Sequence, residues 1–330
     1  MIFTFYSYKG GVGRSLALAH VAYAFAERGL RVLAVDFDLE APGLERYCVA
    51  GRESVRTARE HPGLVDLIMS YRRTLTSTAA FEERAFRDWK QYVMTVRNPV
   101  TAEGGWLDLM TAGARGSPEQ LRNYALTVRT FDWLDFFHNW NGDAFFKWLR
   151  DEWTRVDIGY DVVLVDSRTG VTEMGGVCAY QLADVAVLLC APNEQNLDGT
   201  LDVMRDFGSP GVLGLRGGRP LKLLAVPTRL ERHHPLRETF LERFAELLGP
   251  PSLGPDVPVS YADLALSYLP SFAIAEPVVG GPVETATRTE REAFETLTAS
   301  MRKLADALTL LADPGSRLGR QSAGDRKSVV

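Results

Sequence analysis

The sequence predicts an α/β fold: a mostly parallel twisted sheet with helices on both faces, carrying a helical insertion. Three observations predict it. A short apolar run at residues 2–5 leads into a glycine-rich loop and then an alanine-rich stretch. Four further apolar runs of strand length, at 31–36, 160–166, 185–190 and 221–226, alternate with segments of helical character. Two of those runs end in an aspartate, Asp36 and Asp166.

The chain is organised around Phe5-Tyr6-Ser7-Tyr8-Lys9-Gly10-Gly11-Val12-Gly13-Arg14-Ser15. Three glycines in four positions, followed by a basic residue and a hydroxyl, describe a loop whose backbone N–H groups close around a phosphate. Residues 16–27, with alanine at 17, 19, 22, 24 and 26, read as a helix whose positive end faces that phosphate. Gly29 stops the helix, and the β-branched run that follows ends in acid. Asp36, Asp38 and Glu40 then lie at or just beyond a strand's C-terminal end, where open α/β sheets bind ligands. A solvated turn is the plainer reading of the same residues.

The helix-rich insertion spans about 47–156. Residues 63–69 and 78–90 read as helices, and Arg52, Arg56, Arg59, Arg72 and Arg73 alternate with Glu53, Glu60 and Asp66 as on a solvated helical surface. Between 131 and 153 stand Phe131, Trp133, Phe136, Phe137, Trp140, Phe145, Phe146, Trp148 and Trp153. Their helical spacing describes a hairpin packed on the sheet or on a partner helix, and the acidic residues among them oppose nucleobase stacking. Four apolar residues ending in Asp166 form a Walker B pattern, whose carboxylate holds Mg²⁺ through water. Gly170 matches the glycine whose N–H senses a γ-phosphate.

Residues 291–312 place Phe294, Leu297, Met301, Leu304, Leu308 and Leu311 three and four apart, an amphipathic helix serving the core or a subunit contact. Residues 313–330 hold glycine, serine and charge with no apolar face, so the reading is one domain over 1–312 and a disordered tail. The 330 residues are 46% hydrophobic with net charge -5, which offers no overall basic field for nucleic acid or acidic membranes. Cys48, Cys178 and Cys190 show no metal-ligand spacing and fit a reducing, cytoplasmic setting; no signal peptide or membrane span is expected.

Counting back from Gly13, Tyr8 stands at the first glycine position of the usual phosphate-loop pattern, Arg14 at its lysine position, and Lys9 near its front. This arrangement resembles the deviant Walker A loop of the MinD/ParA family of dimerising ATPases, whose signature lysine takes the place of Lys9. Arg14 is similar to a subgroup of bacterial ATPases with a KGGVGR variant. The resemblance covers the loop, both acidic strands and the order of elements, about two thirds of the chain. It also implies that residues 104–113 rejoin the sheet.

What the resemblance implies for the site is specific. ATP and Mg²⁺ would be held by Lys9, Gly10, Gly11, Val12, Gly13, Arg14, Ser15 and Leu16, with Gly170 at the γ-phosphate and Thr228 and Arg229 near the base, where Thr228 replaces the family's amide. Ser15 would bind Mg²⁺ directly, with Asp36 and Asp166 in its water shell. Asp38 would orient the attacking water, and Lys9 would reach the nucleotide of a second subunit. The implied function is an ATP-dependent dimerisation switch with slow hydrolysis that controls an unidentified regulatory or effector protein. Arg14 either clamps phosphates or misplaces them, which keeps an ATP-binding pseudoenzyme or scaffold as the alternative. A DNA-partitioning ATPase is a further one, disfavoured by the acidic balance. The tail lacks a tyrosine for a kinase reading, and it lacks the amphipathic anchor of MinD proteins.

Overall fold

The computed structural model describes residues 1–76, 86–96, 105–157, 159–170, 176–231, 233–251, 253, 259–270, 278–279 and 288–325. Its sheet has seven strands: β1 (Ile2–Tyr6), β2 (Arg31–Asp36), β3 (Met94–Thr95), β4 (Trp106–Met110), β5 (Val162–Asp166), β6 (Val185–Cys190) and β7 (Lys222–Pro227). They lie in the order β3-β4-β2-β5-β1-β6-β7, all parallel except the short edge strand β3, which runs antiparallel to β4. The expected strand within 104–113 is β4, paired with β2.

Both faces of this sheet are covered, which explains why its strands are apolar throughout rather than alternating. On β2, Val32 and Ala34 enter one core while Leu33 and Val35 enter the other; on β5, Val162 and Leu164 divide from Val163 and Val165 in the same way. The first face carries α1 (Arg14–Glu27), which is buried nearly all round between sheet and a later helix. The second face carries α4 (Leu64–Thr76), α6 (Trp133–Asn139) and α7 (Gly142–Thr154), with Tyr124 of α5 (Pro118–Thr130) in the same core, while Cys48 of α2 (Glu45–Cys48) and Ala58 of α3 (Arg52–Glu60) are buried in the first. The aromatic cluster is this second core: Phe136, Phe145, Phe146 and Trp153 are buried with Phe37 of the β2 end. Those four rings pack the core and are closed to solvent. Most of the helix expected at 78–90 lies outside the described residues; Trp89–Tyr92 is a 3-10 turn.

Beyond β6 come α8 (Glu194–Phe207), α9 (Arg237–Leu248) and α10 (Arg288–Leu311). Leu297, Met301, Leu304, Leu308 and Leu311 of α10 are buried in the first core, so the amphipathic stripe packs inside the molecule. The tail differs from the expectation of disorder after 312. Residues Arg317–Asp325 form α11, with Leu318 fully buried in the first core. A Cβ on Gly319 would lie 2.1 Å from the Asp313 carbonyl oxygen, so the missing side chain lets the turn close. Gln321 Nε2 donates to the Arg28 carbonyl at 3.0 Å, and Arg317 pairs with Asp161 at 3.3 Å. One leucine and one glycine make no periodic pattern, which is why the sequence reads as unstructured there.

His20 of α1 is buried beside the Phe294 ring of α10, with ring centroids 5.8 Å apart, and its Nε2 has no hydrogen-bond partner among the described residues. Burial lowers its pKa from 6.5 to about 4. The folded value lies below the unfolded one, so the neutral ring's contribution is whole above pH 6.5 and is lost as pH falls through about 4. At full expression the shift amounts to roughly 3 kcal/mol. In urea unfolding, His20→Leu is expected to lose less stability than wild type between pH 7 and 4; parallel profiles would remove His20 as a source of acid sensitivity.

Candidate functional site

The parallel register brings the chemistry to one edge. Phe5 pairs with Asp166 and Asp36 pairs with Asp166, so the loop after β1 and both acidic strand ends emerge side by side. Gly11 (φ 74°) and Gly13 (φ 86°) take left-handed backbone, which an L side chain resists. Apart from their chain neighbours, no described residue lies within 4 Å of where a Cβ on Gly10 or Gly13 would stand, so the loop is an open cradle. Val12 is buried in the first core and pins the loop's middle, and Leu16 packs against the same core. The Ala17 N–H donates to the Gly13 carbonyl at 3.0 Å, starting α1 directly beneath the cradle. A cavity of about 370 Å³ lies over it, bounded by loop residues 10–16 together with Ser7, Asp38, Glu40, Ala41, Tyr47, Arg168 and Thr169.

The loop is braced from behind at two places. The Tyr8 ring lies where a Cβ on Gly199 of α8 would stand, 2.2 Å from the nearest ring carbon, so only glycine admits it. Arg229 donates from NH1 to the Gly11 carbonyl at 2.6 Å, and its guanidinium carbon sits 4.5 Å from the Tyr268 ring centroid. Arg229 holds this pose with φ 55°, uncommon for a non-glycine residue.

At the other side of the cavity Arg14 turns inward. Its Nε donates to Asp166 Oδ1 at 2.5 Å, NH2 to Asp38 Oδ2 at 2.7 Å and NH1 to Ser7 Oγ at 3.3 Å. Arg14 is 7% exposed and Asp166 1%, so this is a buried charge cluster rather than a surface bridge. Burial pushes the Asp38 carboxyl above its usual range, Arg14 opposing it. Residues 3–258 match the model of the CobQ/CobB/MinD/ParA nucleotide binding domain. The chain belongs to that family.

Solved structures agree on the fold. MinD of Pyrococcus horikoshii OT3 with Mg-ADP is 17% identical, with TM-score 0.54 over 93% of this chain and 95% of that one. The cell division ATPase MinD of Pyrococcus furiosus is 16% identical, with TM-score 0.56 over 94% and 99%. McdA of Cyanothece in complex with ATP is 12% identical, with TM-score 0.57 over 93% and 95%. No curated protein matches the chain.

Within this CobQ/CobB/MinD/ParA domain the expected site residues divide into those at the cavity and those drawn away from it. Gly10, Gly11, Val12, Gly13, Arg14, Ser15, Leu16 and Asp38 bound it. Among the described residues, Ser15 Oγ and the half-buried Lys9 ammonium make no hydrogen bond or ion pair. Asp36 differs from the water-shell position implied for it. It is fully buried, Oδ2 accepts from the Gly43 and Leu44 N–H groups at 3.0 and 3.1 Å, and Oδ1 accepts from Asp38 N–H at 3.2 Å. Burial first, then Asp166 and Glu45, raise its pKa. Asp36 thus shapes the loop 37–44 that carries Asp38.

Thr228 also differs: it is buried, its N–H donates to the Cys190 carbonyl at 2.8 Å, and it faces the interior rather than a base. The Gly170 N–H donates to the Ser7 carbonyl at 3.2 Å and so is engaged within the protein. Sequence reasoning missed the Arg168–Glu40 ion pair at the cavity mouth and a buried carboxylate under it, Glu45, held by Arg59 Nε and Arg115 NH2 at 2.7 Å each. Glu40 stood in the acidic run already singled out; nothing local marks Glu45 or Arg115.

The donor set accommodates a nucleotide phosphate chain, since the exposed cradle leaves its left-handed glycines uncovered. For a divalent cation, no cluster of three or more His, Cys, Asp or Glu side chains is arranged to hold one among the described residues. Mg²⁺ commonly takes only one or two protein ligands and draws the rest from phosphates and water. Ser15 lines the cavity and would offer its hydroxyl to such an ion, whereas Asp166 lies buried against Arg14.

Proposed function

We propose that the chain is an ATP-dependent dimerisation switch with slow Mg²⁺-dependent hydrolysis, acting on a protein partner. One observation carries this reading. The cation at the usual lysine position, Arg14, is tied to Asp38 and Asp166, while the Lys9 ammonium at the front of the loop has no partner among the described residues. A triphosphate in the cradle presents charge that backbone N–H groups meet only in part, and a free, half-exposed ammonium at the loop's lip is placed to serve a nucleotide across a subunit boundary.

Each residue then has a separable task. The N–H groups of the loop from Gly10 to Ser15 bind phosphate oxygens, and Ser15 with Asp166 would hold Mg²⁺, which neutralises phosphate charge and orients it when bound. Asp38, carried on the loop that Asp36 organises, orients water once Arg14 releases it. Lys9 completes the site in the dimer, so association and turnover are linked.

Light scattering with and without Mg²⁺-ATP tests this. Wild type is expected to double its mass with ATP, and Lys9→Ala is expected to stay monomeric while still binding ATP. If mass responds to neither nucleotide nor substitution, the switch is lost. The contact of Asp38 with Arg14 also favours a second reading, an ATP-binding module that does not turn over. Phosphate release from the purified dimer separates the two.

A further inference from the structure

We propose that a second cavity, beside the nucleotide cavity and sharing a wall with it, is the docking site for an acidic, apolar-anchored segment of a partner protein. Its volume is about 990 Å³. One side is α5, which starts cleanly because Ser117 Oγ accepts from the Gln120 N–H at 3.1 Å and Gln120 Oε1 accepts from the Ser117 N–H at 3.0 Å. Leu121, Tyr124, Ala125, Val128 and Arg129 line the cavity, the i, i+3, i+4, i+7, i+8 face of that helix. Such a stripe normally lies on a core. Here only Tyr124 is buried, and Leu121 is 52% exposed.

The floor and far wall add charge. Arg59, Arg115, Arg129 and Arg168 line the cavity against one lining carboxylate, Glu40. Glu45 beneath holds Arg59 and Arg115 each at 2.7 Å, which fixes their guanidinium groups while leaving the cavity net positive. Arg129 has no ion pair or hydrogen bond among the described residues. A positive, apolar-walled cleft on a chain of net charge -5 selects an occupant of opposite charge. The exposed apolar helix face selects one that lays leucine- or phenylalanine-type anchors along it, as an amphipathic segment does.

The two cavities meet at Glu40 and Arg168, which line both and pair with each other. The loop carrying Leu39, Glu40 and Pro42 is bonded through Asp36, and the Leu39 carbonyl accepts from Tyr124 Oη at 2.7 Å. Whatever phosphate binding does to Asp38 and Arg168 therefore reaches the docking wall within a few residues. That nucleotide control rests on the switch reading above; docking itself does not.

The probe is a fluorescein-labelled synthetic amphipathic peptide with leucines at helical spacing and glutamates elsewhere, read by anisotropy against the same peptide with lysines for glutamates. Wild type is expected to bind the acidic peptide and not the basic one. Leu121→Asp and Arg129→Glu, both at exposed positions, should each weaken it about tenfold with unchanged melting temperature and ATP binding. Arg129→Glu should gain affinity for the basic peptide. Equal binding of both peptides, indifference to both variants, or displacement by 8-anilinonaphthalene-1-sulfonate that Leu121→Asp does not alter would overturn the proposal, the last by assigning the cavity to a small aromatic anion. Peptide affinity that shifts with Mg²⁺-ATP supports the coupling. Intact peptide binding that ignores Mg²⁺-ATP would sink the coupling and leave docking standing.

Discussion

Replacing Arg14 with alanine is expected to remove about 3–5 kcal/mol of folding stability, because it leaves a buried carboxylate without its counter-charge. Asp166 is 1% exposed and has its Oδ1 on Arg14 Nε at 2.5 Å, so water does not take the guanidinium's place. Exposed ion pairs contribute only about 0–1 kcal/mol, and the size of the loss therefore reports whether the cluster is buried in solution. Arg14→Lys should recover part of it, since one ammonium reaches one carboxylate but lacks the planar fork that spans Asp166 and Asp38 together. The triple change Arg14→Met, Asp38→Asn, Asp166→Asn should return most of the remainder, as removing all the charges removes the desolvation problem. Urea unfolding of nucleotide-free protein at pH 7 measures all three. A loss under about 1 kcal/mol for Arg14→Ala would mean that Arg14 lies in solvent.

The elements that place this cluster were legible because their signals are local. Gly10, Gly11 and Gly13 announce a cradle, the alanines after Ser15 a closely packed helix, and runs such as Val162–Asp166 a strand buried on both faces. The rule that ligands gather at the C-terminal ends of parallel strands then puts Asp36 and Asp166 together, as the register confirms. The partners were not legible. Arg14 and Asp166 are 152 residues apart, and whether a guanidinium faces phosphate or carboxylate is decided by the space between β1, β2 and β5. Asp36 illustrates the same limit: an aspartate at a strand end reads as a ligand, yet three backbone N–H groups of the following loop need an acceptor and take it. The tail helix failed for a different reason, since its one buried apolar side chain among the described residues, Leu318, makes no periodic pattern.

Asp38→Ala is expected to bind ATP within about threefold of wild type and to hydrolyse it at least about 10²-fold more slowly, the usual contribution of a positioned general base. Affinity should be nearly spared because the cradle's contacts come from backbone N–H groups and from Ser15, none of which depends on Asp38. Turnover should not be, since Asp38 lines the cavity together with Ser15 and the loop glycines, on the loop that Asp36 holds. Stability offers a control on this interpretation. Asp38 is 14% exposed and shares Arg14 with Asp166, so its removal leaves one buried pair intact and should cost far less than Arg14→Ala. Asp38→Asn sharpens the test, because its amide oxygen can still accept from Arg14 NH2 but is a poor base. If Asp38→Asn retains turnover while Asp38→Ala loses it, Asp38 acts by holding Arg14 in place. If both lose it with little change in melting temperature, the carboxylate itself handles the water. Equal turnover in all three proteins would take Asp38 out of the chemistry and favour the module that binds ATP without cleaving it.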